Sequence, residues 1–322
     1  LTHLKDKPMT IRLPDTTTPL KIGTRGSPLA MAQAYETRTR LAEAFDLPQE
    51  AFEIIIISVT GDVIQDRPLK DIGGKGLFTR EIEEDLLCGK IDIAVHSMKD
   101  MPTVQPEGLI LDTYLPREDV RDAFISQTLK KITDLRSGAI VGTSSLRRKA
   151  QLLNRRPDLI VVEFRGNVQT RLKKLSNGIA ECTFLACAGL NRLSMSEVPA
   201  TPIDPHDMLP AVAQGAIGIE RRLSDENTAE LLAAIHDIPT GQVLAAERQF
   251  LAALDGSCET PIAGLATLSG HTLHLKGEVL RPDGSKALSA TRSGTISDGI
   301  LLGTDLADEL LKRAGPNFFD WH

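Results

Sequence analysis

Along residues 20–193, short β-branched runs alternate with amphipathic stretches of helical period. Leu20–Thr24 reads as a strand, Pro28–Phe45 as an amphipathic helix, Phe52–Val59 as a buried strand, Leu77–Cys88 as a helix and Ile91–His96 as a strand. A second round follows, with strands at Ala139–Gly142, Leu159–Phe164 and Ala180–Leu185 and helices at Ser144–Arg155, Gly166–Ser176 and Ala186–Leu193. This alternation predicts βαβ units around mainly parallel sheets, in two α/β lobes. Breaks fall at Pro116–Asp119 and at the Pro-rich Pro199–Pro210, and Ala216–Glu220 has the pattern of a strand returning to the first lobe. Two such crossings make a hinge.

From Ile238 the texture changes. A long helix, Gly241–Leu254, leads into the loop Asp255–Pro261; period-two segments at Ile262–Leu268 and His271–Leu280 meet at a Ser269-Gly270 turn, and a helix closes the chain near Asp305–Arg313. A small α+β domain is expected. The predicted division is residues 15–115 with 214–235 for the first lobe, 119–210 for the second and 238–322 for the third domain, behind a polar leader at 1–14. Because a methionine stands at position 9, residues 1–8 are expected to be an upstream remnant.

Composition narrows the class. With 322 residues, 41% hydrophobic and 25% charged, the chain can bury several cores and does not resemble a disordered, collagenous or disulfide-dense protein. No apolar run approaches the length of a membrane helix, no signal-type segment is present, and the four cysteines lack zinc spacing, so a reduced cytoplasmic setting and no metal are expected. The net charge of −6 argues against a generally basic nucleic-acid binder. That average hides segregation: Thr143–Arg192 holds ten basic against three acidic residues, while the remainder holds 27 against 40.

The basic segment contains two strand-to-helix passages, Thr143-Ser-Ser-Leu-Arg-Arg148 and Phe164-Arg-Gly-Asn167 with Arg171. Free N–H groups, hydroxyls and guanidiniums at such passages suit carboxylates or phosphates, and open α/β sheets bind ligands at this edge. The alternative is an ordinary serine cap with solvated arginines. His96-Ser-Met-Lys-Asp-Met-Pro102 follows an apolar strand and sets Lys99 beside Asp100, as a proton-transfer or charge-stabilising site requires, or as a turn with an exposed ion pair. His96 reads as a structural, hydrogen-bonded histidine. The loop Asp71-Ile-Gly-Gly-Lys-Gly76 lacks P-loop spacing; it either delivers Lys75 to an anion or is merely mobile. Cys88, Cys182 and Cys187 read as small core hydrophobes. Cys258 lies in a loop of small residues, where a thiol acts as nucleophile or covalent anchor or is simply buried.

Seven segments taken together resemble the porphobilinogen deaminase (hydroxymethylbilane synthase) family: Ile22–Ala30, Gly73–Phe78, Asp92–Asp100, Val141–Arg148, Arg165–Asn167, Leu209–Gly215 and the Cys258 loop, all in the family's order. The resemblance implies two lobes of the type II periplasmic-binding-protein kind plus an α+β domain carrying the cofactor cysteine. It further implies a monomeric enzyme of tetrapyrrole (haem or chlorophyll) biosynthesis, with porphobilinogen as its small-molecule partner and neither nucleic acid nor membrane. Four porphobilinogens are condensed head to tail to hydroxymethylbilane with loss of ammonia, primed by a dipyrromethane cofactor thioether-linked at the position of Cys258. Asp100 matches the catalytic aspartate. Cofactor acetates and propionates fall to Ser97, Lys99, Thr143, Ser145, Arg147, Arg148 and Lys75, and substrate or chain carboxylates to Arg25, Ser27, Gln33, Arg165, Arg171 and Arg192. The chain departs from the family at Asp71, where many members have lysine, and at Ala213 and Ser257, which replace glycines; small effects on loop flexibility are expected. Two rival readings are a non-catalytic anion-binding protein on the same lobes and a nucleic-acid binder using the basic segment.

Overall fold

A computed structural model describes residues 11–63, 79–256, 260–316 and Phe318. The first lobe is built on β1 (Leu20–Arg25), α1 (Pro28–Phe45), β2 (Phe52–Ile57), the one-turn helix α2 (Thr60–Val63), α3 (Arg80–Leu87), β3 (Ile93–Ser97) and β4 (Leu109–Tyr114). The second lobe follows with β5 (Asp122–Ile125), β6 (Ile140–Gly142), α4 (Leu146–Arg155), β7 (Ile160–Val162), α5 (Val168–Ser176), β8 (Cys182–Ala186), α6 (Cys187–Arg192) and β9 (Ala200–Pro202). The chain then returns as β10 (Ile217–Arg222) and α7 (Glu226–Ala233), and ends in α8 (Ile238–Ala253), β11 (Ile262–Ser269), β12 (Thr272–Leu280), β13 (Ala287–Thr295) and α9 (Gly299–Ala314).

The lobes share one topology. Their sheets run β2-β1-β3-β10-β4 and β7-β6-β8-β5-β9. In each, four strands point the same way and one is reversed: β10 in the first and β5 in the second. Each reversed strand follows a crossing from the other lobe, so the two crossings, near 115–121 and 203–216, enter the sheets at equivalent places. They also hydrogen-bond each other, Leu115 N to Ile217 O at 3.2 Å and Glu118 N to Gly215 O at 3.2 Å. This is the type II periplasmic-binding-protein topology, with mainly parallel sheets.

Apolar residues cover both faces of each lobe sheet, as parallel sheets require. One face of the first sheet buries Ile22, Leu41, Phe52 and Ile219, and the other Ile82, Leu86 and Ile91; the second sheet divides Phe124 and Phe184 from Phe164 and Leu185 in the same manner. In the third domain α8 and α9 cover one face of an antiparallel sheet, β11-β12-β13. Its core reaches beyond the domain, since Met98 and Met101 of the first lobe pack with Leu244, Phe250 and Leu306.

Several weakly patterned elements were absent from the sequence expectation: β4, β5, β9, β13 and α7. The Pro-rich break contains β9, whose Pro202 is tolerated because the strand lies at the sheet edge. Cys182 and Cys187 are buried as expected, but Cys88 is exposed, because it caps the C-terminus of α3 and does not lie on its buried face.

Candidate active site

On the second lobe, two strand-to-helix passages are joined side by side. β6 ends at Gly142, and Ser145 caps α4 by accepting from Arg148 N at 3.4 Å. β7 ends at Val162, and Asn167 caps α5 by accepting from Thr170 N at 2.9 Å. Thr143 N donates to Val162 O at 3.0 Å and Phe164 N to Ser144 Oγ at 2.8 Å. Gly142 permits this approach: a Cβ there would lie 2.5 Å from the Phe164 ring. Thr143 is buried, Arg165 and Arg171 are half-buried, and a buried Arg165 Nη1 has no hydrogen-bond partner.

Arg147 and Arg148 turn inward rather than standing open on this edge. Arg148 donates to Asp122 Oδ1 (Nη2, 2.8 Å; Nε, 3.2 Å) and to Phe184 O (2.8 Å), while Arg147 Nη1 reaches Leu209 O and Asp122 Oδ2, both at 2.8 Å. Gln214, from the second crossing, adds Nε2 to Asp122 Oδ1 at 3.0 Å. Burial alone would raise the Asp122 carboxyl, but the two guanidiniums outweigh it and hold it well below the carboxylate range. Arg147 Nε remains without a hydrogen bond. Asp122, which no motif in the sequence singled out, is thus the acid that organises both arginines.

The first lobe presents the opposing edge. Arg25 ends β1, and Ser27 caps α1 by accepting from Ala30 N at 3.3 Å. Gln33, buried on α1, bonds Ser97 Oγ through Nε2 at 2.8 Å. After Ser97 the chain makes a 3-10 turn, Met98–Asp100, fixed by Met98 N donating to Ala216 O at 3.0 Å. Met98 and Met101 are buried and Asp100 is exposed, so packing on either side aims the carboxylate outward. The third domain holds the chain just after this turn: Arg248 of α8 donates to Pro102 O at 2.8 Å and Thr103 O at 3.3 Å.

Electrostatics link the two edges. Burial lowers the Lys99 ammonium to about 8; Asp100 and Asp122 oppose that shift, whereas Arg148 and Arg147 add to it. Burial likewise lowers the Arg171 guanidinium, to about 10, with Arg148 and Arg165 adding to the shift and Asp100 opposing it. Lys99 and Asp100 therefore lie within the field of second-lobe cations. Arg192 does not stand free: its Nε donates to Glu36 Oε2 of the first lobe at 3.1 Å. His96 is structural as expected, buried and 3.1 Å from Glu220 Oε2. Ala213, at a family glycine position, adopts a left-handed φ of 60°. Asp71, Lys75, Ser257 and Cys258 lie outside the described residues.

The chain matches two family models: porphobilinogen deaminase, dipyromethane cofactor binding domain, over residues 20–230, and porphobilinogen deaminase, C-terminal domain, over 242–312. It is 63% identical over 310 residues to a porphobilinogen deaminase of Paracoccus denitrificans (strain Pd 1222), covering 96% of this chain and 99% of that protein. Among solved structures it is similar to the periplasmic VFT2 domain of Bordetella pertussis BvgS, at 14% identity and a TM-score of 0.41, covering 71% of this chain and 91% of that one. A Salmonella typhimurium periplasmic binding protein of high arginine specificity is likewise 14% identical, with a TM-score of 0.40, over 67% of this chain and 91% of that one.

Proposed function

The chain belongs to the porphobilinogen deaminase family, and from that premise we propose how its residues divide the reaction. The activity is that of a transferase of tetrapyrrole biosynthesis: four porphobilinogens are condensed head to tail to hydroxymethylbilane, with one ammonia released at each addition. A bound dipyrromethane supplies the primer to which substrate units are added.

The donor set fits an acid-bearing pyrrole. The residues at these edges include hydroxyls, capped helix N-termini and cations; a buried Arg165 Nη1 has no hydrogen-bond partner, and Arg147, turned inward onto Asp122, keeps an unpartnered Nε. Cys258 is the covalent anchor. Ser97, Lys99, Thr143, Ser145, Arg147 and Lys75 hold the acetate and propionate groups of the cofactor. Arg148, with Nε and both Nη groups already engaged, contributes through its charge and by fixing the start of α4. Arg25, Ser27, Gln33, Arg165, Arg171 and Arg192 take carboxylates of the substrate and growing chain. Asp100 stabilises the cationic substrate ring as ammonia leaves, and its carboxylate oxygens move protons during bond formation.

The observation that carries this reading is an exposed carboxylate, Asp100, held outward by buried methionines within the field of Lys99, Arg171 and their neighbours. Intact mass and turnover test it together. Wild type is expected to exceed its chain mass by two linked pyrrole units, Cys258→Ala to lack that increment, and Asp100→Ala to retain it with turnover at least about a hundredfold lower. Near-normal turnover of loaded Asp100→Ala removes Asp100 from the chemistry.

The same reading takes residues 15–115 with 214–235, 119–210 and 238–322 as the domains, and the enzyme as a cytoplasmic monomer without a nucleic-acid partner. Within the basic segment Arg147, Arg148 and Arg192 lie against internal acids rather than forming a phosphate-binding face. Size-exclusion chromatography, and retention on DNA at low salt, address the last two statements.

A further inference from the structure

The carboxylate that holds Arg192 comes from the opposite lobe. Glu36 lies on α1 and Arg192 in the last turn of α6. The Arg192 side chain is 8% exposed and that of Glu36 26%, so the pair is partly shielded from water. Glu36 has a second partner on its own helix: Arg40 Nη2 and Nε reach Oε1 at 3.1 and 3.3 Å. Around the pair α6 meets both α1 and the first crossing. A Cβ at Gly189 would lie 3.6 Å from Leu29 of α1, and Asn191 Nδ2 donates to Glu118 Oε1 of the crossing at 3.2 Å. Glu36 also follows Gln33 by three residues, which sets both on one face of α1, and Gln33 bonds Ser97 at the start of the Asp100 turn. The ion pair therefore spans the lobes beside the proposed substrate site.

We propose that Glu36 is an internal competitor for the substrate's carboxylates. Its carboxylate holds Arg192 in the way a substrate or chain carboxylate is expected to, and in doing so latches the two lobes. An incoming porphobilinogen carboxylate exchanges with Glu36, which falls back on Arg40. Replacing one carboxylate by another conserves the charge on Arg192, so the exchange leaves neither guanidinium bare. Each exchange releases the direct tie between α1 and α6, loosening the cleft at the moment when another ring must be accommodated. Glu36 thus tunes substrate affinity without touching the reacting atoms. This inference rests on the assignment of Arg192 to substrate carboxylates.

Steady-state kinetics of cofactor-loaded enzyme with porphobilinogen separate the two claims. Glu36→Gln keeps the shape and removes the competing charge; KM is expected to fall about fivefold, the scale of a partly exposed ion pair. Arg192→Gln is expected to raise KM about tenfold. In the Arg192→Gln background, adding Glu36→Gln should change nothing further. An unchanged or raised KM in Glu36→Gln, with KM raised in Arg192→Gln, overturns the competitor and leaves the substrate assignment standing. An unchanged KM in Arg192→Gln overturns the assignment and the competitor with it. A fall in KM that persists in the double variant means that Glu36 acts by general repulsion of the acidic substrate, which also overturns the exchange.

Discussion

At Lys99 burial and like charge converge on one ammonium. Its proton is held only below about pH 8 in the folded chain, against about 10.4 in an unfolded one. Between those values the unfolded state binds more protons, so this residue makes stability rise with pH there, and its unfavourable charge is fully present below pH 8. Binding of an acidic ring favours the protonated form, so uptake of dipyrromethane by the apoprotein is expected to weaken above pH 8, by up to about tenfold per pH unit. Lys99→Arg, whose charge does not titrate, should flatten that limb. Reconstitution followed by intact mass from pH 7 to 9.5 measures both, and a flat wild-type profile removes Lys99 from cofactor binding. Lys99, Arg147, Arg148, Arg165 and Arg171 stood out by residue type and position, whereas Arg25 and Arg192 came only with the family resemblance. Asp122 and Glu36 did not stand out, because their partners lie across the fold and no local pattern joins Asp122 to Arg148 or Glu36 to Arg192.

Among the elements, those with strong apolar patterns were readable. β1, β3 and β6 bury aliphatic residues (Leu20 and Ile22, Ile93–Val95, Val141) and lead into polar passages, so the candidate ligand edge could be placed. β13, with serine and threonine at its exposed alternate positions and Arg292 and Gly294 among the others, has too little apolar contrast to stand out. β10 was expected, but its reversed direction and its place under the Asp100 turn depend on pairing with β3 and β4. There Gly218 faces Met98: a Cβ at 218 overlaps Met98 Sδ and comes within 2.9 Å of Leu111. Gly218→Ala is expected to push on the turn through a fully buried methionine, destabilising by about 1–3 kcal/mol. That corresponds to a melting temperature lower by about 2–4 °C per kcal/mol. Turnover should fall more than KM rises, because the displaced atoms support Asp100 and not the carboxylate-binding arginines. Thermal unfolding with kinetics checks this, and an unperturbed kcat would show that Met98 yields without moving the turn.

For the molecule as a whole, one buried acid joins all three units. Glu247, on α8 of the third domain, is completely buried; it accepts from Arg117 Nη1 at 2.7 Å and Nη2 at 3.0 Å, from Ala213 N at 2.6 Å and from Ala266 N at 2.7 Å. Arg117 lies in the first crossing and Ala213 in the second, and Arg117 Nε also donates to Gln214 O at 2.9 Å. The hinge between the lobes is therefore fastened to the helix that leads, within five residues of its end, to Cys258. Glu247→Gln leaves the Arg117 guanidinium buried without its counter-charge and sets an amide against four N–H donors. The expected loss is about 3–5 kcal/mol in unfolding free energy by urea denaturation. Arg117→Gln should cost a similar amount, and the double variant less than the two losses added, by at least about 1 kcal/mol, because each single change strands the same partner. Additive losses, or a Glu247→Gln variant within about 1 kcal/mol of wild type, would mean that the crossings are held by backbone pairing alone and that the third domain does not secure the hinge.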